Sequence, residues 1–243
     1  MAYDAVASTY GRHRRADPRI VAAIGEAIGD GRSVLNVGAG SGSYEPAGRT
    51  LAAVEPSAAM IARRPSAAAP VVRARAEELP FRSGVVDAAL AVLTVHHWQD
   101  RSRGLAELRR VARDRVVLVT WDPAAAPFWL VRDYFPDLIA EDRRIFPSID
   151  ELASALGRVG VRPLPVPSDC ADGFLGAYWQ RPEAYLDAGV RACISTFARL
   201  GDVAPGLARL RRDLDSGEWA TRNADLAGRQ ELDVGYRIVI GQG

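Results

Sequence analysis

Three groups of residues in this 243-residue chain have the types and spacing to do chemistry. The first is Gly38-Ala39-Gly40-Ser41-Gly42, which follows the short apolar run of Val34, Leu35 and Val37. Glycine lets the backbone turn with positive φ and lets a ligand lie against the main chain with no Cβ between them. The second is Glu55, at the end of the apolar run from Leu51 to Val54. A carboxylate there suits a ribose, because its oxygens can accept from two neighbouring hydroxyls. The third is His96-His97-Trp98, which ends the nearly continuous apolar stretch from Val85 to Val95. An imidazole in such a place can orient an oxygen, nitrogen or carbon acceptor or take its proton. Strand, glycine loop, strand and acid together predict a nucleoside-bearing cofactor beyond the carboxyl ends of a parallel sheet. A glycine-rich turn with no ligand would use the same residues, and one histidine packed on Trp98 with the other capping a helix would explain the third group.

The elements that must position these groups follow from capping and periodicity. Asp17 and Pro18 open a helix with Ile20, Ala23, Ile24 and Ala27 at helical spacing, and Gly29 closes it. The connection from Gly38 to Thr50 is barely the dozen or so residues that a parallel crossover needs, and it contains Pro46 and Gly48, so any helix there is shrunk to about a turn. Pro56 and Ser57 start a short helix through Met60 and Ile61, and Val71-Val72 begins a third strand. Val85 to Val95 reads as a central strand buried on both faces. Asp100 opens a helix bearing Leu105, Leu108 and Val111, and Arg115 to Thr120 supplies a fifth strand. Further on, Ser148 and Glu151 form a capping box, Val161 to Val166 suggests a strand, helical stretches run from Ser168 to Gln230, and Leu232 to Ile240 makes a last strand. Strands separated by helices argue for an α/β fold with a doubly wound, mostly parallel sheet.

Composition sets limits on function. Hydrophobic content of 48% is ample for one large domain spanning 1–243, and a net charge of +1 asks for neither nucleic acid nor an anionic membrane as partner. Every basic residue other than the three histidines is arginine, so lysine Schiff-base chemistry is excluded. Cys170 and Cys193 lack metal-ligand spacing, which fits small packing residues in a reducing cytoplasm. A metal would need a third ligand beside His96 and His97, and His13 is the one further histidine, so no metal is expected. No apolar run reaches the roughly 18 residues that span a bilayer.

The glycine spacing decides between cofactors. The dinucleotide fingerprint G-x-G-x-x-G would put its third glycine where Ser43 stands, whereas Gly38, Gly40 and Gly42 fit G-x-G-x-G. With Glu55 and the segment Ala76-Glu77-Glu78-Leu79-Pro80-Phe81, this resembles the class I S-adenosylmethionine-dependent methyltransferases of small-molecule type. The resemblance covers Ser33 to Val119. It implies a Rossmann-like seven-stranded sheet and S-adenosyl-L-methionine as cofactor. The glycine loop would face the methionine half, and Glu55 would hold the ribose. Adenine would meet Met60, Ala76 and Glu77, while the Leu93 backbone would lie near the methionine part. Tyr10 and Arg14, from the N-terminal segment, would close the pocket and meet the methionine carboxylate. His96 or His97 would face the methyl acceptor. Two positions depart from the family pattern: Asn36 stands where an acid is usual, and so does Arg75. Additions at about 121–147 and 168–230 would form a lid, with Phe128, Trp129, Tyr134, Tyr178 and Trp179 contacting an apolar or aromatic small molecule. A monomer or homodimer, with no membrane partner, is expected. Two rival readings remain. The acid after the second strand would also suit a nicotinamide oxidoreductase, and Asn36 with Arg75 would suit a non-catalytic protein that keeps the fold.

Overall fold

A computed structural model describes residues 14–243, and these fall into two compact units. One comprises residues 18–124, 144–164 and 236–243; the other comprises 125–143 and 165–235 together with the segment ending at Asp17.

In the first unit, helix α1 (Pro18–Ile28) buries Ile20, Ile24, Ala27 and Ile28 on one face. Gly29, at φ +64°, ends it in the left-handed region. Its last carbonyls are satisfied by arginines: Arg49 Nη1 donates to Gly29 O at 2.7 Å and Arg115 Nη1 to Ala27 O at 3.1 Å. Strands β1 (Val34–Val37) and β2 (Thr50–Val54) pair in parallel, and the residues between them form turns with no helix. Helix α2 (Ala58–Ile61) is capped by the Ser57 hydroxyl, which accepts from Met60 N. Then come β3 (Val71–Val72), β4 (Val86–Val92), helix α3 (Arg101–Val111), β5 (Ala112–Trp121), a helix at Ile149–Leu156, β6 (Gly160–Pro163) and β7 (Tyr236–Gln242).

These seven strands form one sheet in the order β3-β2-β1-β4-β5-β7-β6, parallel except for β7, which runs antiparallel to both neighbours. Leu35, Val37, Val54, Ala89, Ala91, Val116, Leu118 and Val239 share a cluster with Leu105, Leu108 and Val111 of α3 and with Leu152 and Leu156. The intervening Val34, Leu90, Val117 and Ile238 are buried as deeply. Successive strand residues point to opposite faces, so both faces are covered, as a doubly wound sheet requires. The Rossmann-like expectation is met.

Three strand expectations change. The run expected to continue to Val95 stops at Val92, because Leu93 adopts φ +49° and Val95–His97 forms a 3-10 turn. The expected last strand divides at Gly235, φ +97°, so that β7 starts at Tyr236 while Glu231–Leu232 pairs with Val166–Pro167 in the other unit. Pro163 and Pro165 break the Val161–Val166 run, since proline cannot donate to a ladder.

The second unit is largely helical. Its longest helix is Ala204–Asp215, and a single π-helical turn spans Leu130–Tyr134. Trp129 lies at its centre, edge-on to Phe128, Tyr134, Tyr185 and Trp219, with ring centroids between 5.2 and 5.9 Å. Both cysteines are buried here, and burial pushes the Cys170 thiol up to about 12, which leaves it unreactive. Among the described residues no helix is long and apolar enough to cross a membrane.

Candidate active site

The site lies at the carboxyl ends of β1, β2 and β4. Gly38, Gly40 and Gly42 have φ of +70°, +54° and +89°, a run of left-handed turns that an L side chain rarely tolerates. Gly38 N and Ala39 N donate to Val54 O at 2.8 and 3.0 Å, which pins the loop over the tip of β2. On its other side the loop abuts β4. A Cβ on Gly38 would stand 2.1 Å from Thr94 Oγ1, so the glycine loop and the chain leading to His96 touch. Thr94 O in turn accepts from His97 N at 2.8 Å.

Glu55 is 7% exposed, and each of its oxygens takes one main-chain donor: Oε2 from Gly40 N at 2.8 Å and Oε1 from Ser57 N at 2.9 Å. A carboxylate offers about four acceptor positions, so it holds the loop and α2 while keeping lone pairs for two hydroxyls. Met60 is buried, and its Cε lies 3.3 Å from where a Cβ on Gly40 would stand, so its methyl borders the loop. Ala76 is buried. Glu77 Oε1 accepts from Gln99 N at 2.7 Å and Asp100 N at 3.2 Å, which ties its segment to the turn before α3, and Arg75 Nη1 donates to Gln99 Oε1. The segment after it is clamped by α3: Glu107 Oε2 accepts from Leu79 N, and Arg110 donates to Phe81 O and Leu79 O. Arg110 beside Glu107 holds that carboxyl below its usual range.

Leu93 is the strained residue of the site. Its φ of +49° is the sole positive value at a non-glycine among the described residues, and Leu93 N donates to Val119 O at 2.8 Å. Strain of this kind persists where the surroundings over-determine it, and it clusters at functional sites. Directly after it, His96 is half-buried and His97 is exposed. The His96 ring is flanked by His97 at 3.9 Å and Phe146 at 4.1 Å, and Phe146 meets the Trp121 ring edge-on at 5.6 Å. Asp100 caps α3 through Arg103 N, and that bond keeps its carboxyl below the ordinary range.

The sheet unit thus brings together Gly38, Gly40, Gly42, Glu55, Met60, Ala76, Glu77, Leu93, His96 and His97. The remaining candidates are not among the described residues of the sheet unit. Tyr10 lies outside the described residues. Arg14 is in the helical unit, where its Nε donates to Asp172 Oδ1 at 2.8 Å. The five aromatics expected at the acceptor are also in that unit. Trp129, Tyr134, Tyr178 and Trp179 are core residues there, and three of them have bonded polar atoms: Trp129 Nε1 to Trp179 O, Trp179 Nε1 to Val166 O and Tyr134 OH to Asp213 Oδ2. Burial raises the Tyr134 hydroxyl far above its usual value. Phe128 is half-buried. Sequence reasoning missed Thr94, Phe146, Glu107 and Arg110. Phe146 is far along the chain from His96, and no periodicity links the two.

The grouping fits an adenosyl cofactor: a main-chain loop turning at three left-handed glycines, a buried acid with unused lone pairs and a methionine methyl at the loop's border. A family model described as a methyltransferase domain matches residues 35–120. A structure titled as a candidate methyltransferase from an antibiotic biosynthesis pathway, from Anabaena variabilis ATCC 29413, is similar to this chain. It is 35% identical over 94% of this chain and 98% of that one, with a TM-score of 0.84. A methyltransferase of Thermotoga maritima, titled as S-adenosylmethionine-dependent and a possible histamine N-methyltransferase, shares the fold at 15% identity. It covers 93% of this chain and 87% of that chain, with a TM-score of 0.55. No curated protein matches the chain. The chain belongs to the class I S-adenosylmethionine-dependent methyltransferases. It is a methyltransferase enzyme, and the family implies S-adenosylmethionine as its cofactor.

Proposed function

We propose that this enzyme methylates a small apolar or aromatic metabolite. The observation that carries the reading is the half-exposed series His97, His96, Phe146 and Trp121, next to a turn that touches the glycine loop through Thr94. Such a series offers ring faces for stacking, with few polar groups to demand a charged ligand. The similar protein from Anabaena is assigned to antibiotic biosynthesis, which supports a small-molecule acceptor here as well.

S-adenosylmethionine, when bound, supplies a methyl group already activated on a sulfonium. The protein's task is then mainly alignment. Holding two reactants at a near-attack distance supplies about 7 to 11 kcal/mol, whereas a general base adds about 3 to 5 kcal/mol, from a typical 10² to 10⁴-fold. In this reading Glu55 fixes the ribose, the glycine loop receives the amino-acid tail, and Met60, Ala76 and Glu77 border the adenine. His96, clamped between two rings, orients the acceptor. His97, the exposed member, takes the proton that the acceptor loses.

The test is a panel of hydroxylated and aminated aromatic metabolites incubated with S-adenosylmethionine, with S-adenosylhomocysteine release as the readout. Release with aromatic members and none with charged aliphatic ones is expected, and His97→Gln should lower it by roughly 10² to 10⁴-fold. Binding of S-adenosylhomocysteine with no methylation of any aromatic member would overturn the reading.

A further inference from the structure

Against the glycine loop lies a group of polar side chains that neither the sheet nor the glycines require. Arg64 Nη2 donates to Glu45 Oε1 at 2.6 Å and to Ala69 O at 3.0 Å, and Glu45 Oε2 accepts from Ala69 N at 3.2 Å. Asn36 Nδ2 reaches Glu45 Oε1 at 3.5 Å. The Arg64 and Glu45 side chains are 4% and 8% exposed. Arg64 Nη1 is sealed from solvent with no hydrogen-bond partner, and it lies 3.2 Å from the point where a Cβ on Gly42 would stand.

Removing two charges from water is costly, and their attraction compensates only if the remaining donors and acceptors are also bonded. Here one donor is not. Replacing such a pair by apolar side chains of similar volume is often neutral or stabilising, so stability is a weak reason for the pair. What it does achieve is one defined geometry. Glu45 belongs to the loop, Arg64 and Ala69 to the chain after α2, and Asn36 to β1. A buried, directional network can specify an arrangement that apolar packing leaves loose.

We propose that Glu45 and Arg64 are positioning residues of the cofactor site: their sealed ion pair, tied to β1 through Asn36, sets the bend from Gly38 to Gly42 that receives the cofactor's amino-acid tail. The inference rests on the cofactor reading above. It also accounts for Asn36, because an acid there would put a second carboxylate about 3.5 Å from Glu45. Two carboxylates that close cannot both ionise readily. The amide donates instead and adds no charge.

The test compares two ligands by calorimetry: S-adenosylhomocysteine, and 5′-methylthioadenosine, which keeps the nucleoside and sulfur but lacks the tail. The double variant Glu45→Gln with Arg64→Gln removes both charges, and its fold is checked by circular dichroism. Loss of roughly tenfold in affinity for S-adenosylhomocysteine is expected, about one charge-assisted bond's worth, with methylthioadenosine unchanged within about twofold. No loss, or equal losses for both ligands, would overturn the proposal and leave the pair a purely structural feature. Asn36→Asp keeps the side chain's size and carries the test if the double variant misfolds. At pH 8 it should bind S-adenosylhomocysteine roughly fivefold more weakly, with methylthioadenosine unchanged within about twofold. Tighter binding by Asn36→Asp alone would count against the proposal. Wild-type protein that bound neither ligand would sink the cofactor reading itself, and this proposal with it.

Discussion

Replacing Glu55 by glutamine tests the site with the fewest assumptions, because the two shapes are nearly the same and the chemistry differs at one atom. In the native protein both oxygens accept a main-chain N–H, from Gly40 and from Ser57. In the variant one oxygen becomes an NH₂ group, which meets one of those donors head on. A hydrogen bond to a charged group is worth about 1.5 to 3 kcal/mol, and this first loss falls on the free protein. For a chain of this length each kcal/mol moves the melting temperature by about 2 to 4 °C, so a fall of about 3 to 12 °C is expected. The second loss falls on the cofactor. With one oxygen left, and that oxygen shared with a main-chain donor, the side chain can accept from at most one ribose hydroxyl. Losing a second charge-assisted bond should weaken S-adenosylhomocysteine by roughly 10- to 150-fold. Scanning calorimetry reads the first term and titration calorimetry the second. Affinity within threefold of wild type would refute the assignment of Glu55 to the ribose, whatever the melting temperature did.

The loop glycines should differ in a ranked way. Gly38→Ala combines a left-handed φ of +70° with a Cβ 2.1 Å from Thr94 Oγ1, and should cost about 2 to 5 kcal/mol in chemical denaturation. Gly48→Ala, at φ +71° with nothing within 4 Å, should cost only about 1 to 2 kcal/mol. Leu93→Gly should be nearly neutral, within about 1 kcal/mol, because relief of its left-handed strain offsets the lost apolar contact; a loss above about 3 kcal/mol would mean that the residue is not strained. In the helical unit, burial raises the Asp142 carboxyl to about 6, against the pull of Arg199 and with Glu141 adding to the rise. The folded state therefore binds more protons than the unfolded state between about pH 4 and 6, and stability from this group falls as pH rises through that window. The difference in melting temperature between wild type and Asp142→Asn should shrink over the same range and be flat above about pH 7.

Much of the sheet unit could be read from the chain because its signals are local. Ser57 and Asp100 do cap helices, Gly29 does end one, and short, nearly continuous apolar runs located β1, β2, β4 and β5. Glycine spacing and the acid after β2 pointed to the methyltransferase family for the same reason: the residues that make the cradle are neighbours in sequence. What was not legible is what distant residues do to one another. Nothing near Leu93 announces a positive φ, since leucine ordinarily avoids it. Glu45 and Arg64 carry no signal in the sequence, because a buried pair is visible only when both partners are located. Trp129, Tyr134, Tyr178 and Trp179 were expected to contact an acceptor, and their burial, with the bonded polar atoms of Trp129 and Trp179, shows only once the fold brings their neighbours together.

The place of β7 in the sheet bears on how the protein is made. That strand comes from residues 236–242, yet it lies between β5, finished by residue 121, and β6, finished by residue 163. While the chain emerges from the ribosome, the helical unit's residues 165–235 must all appear before either edge finds its neighbour. Until then β5 presents a bare row of amides and carbonyls along one edge, open to pairing with other nascent chains. Expression at low temperature, or with a holdase present, should therefore raise the soluble yield of this protein more than any change to its surface.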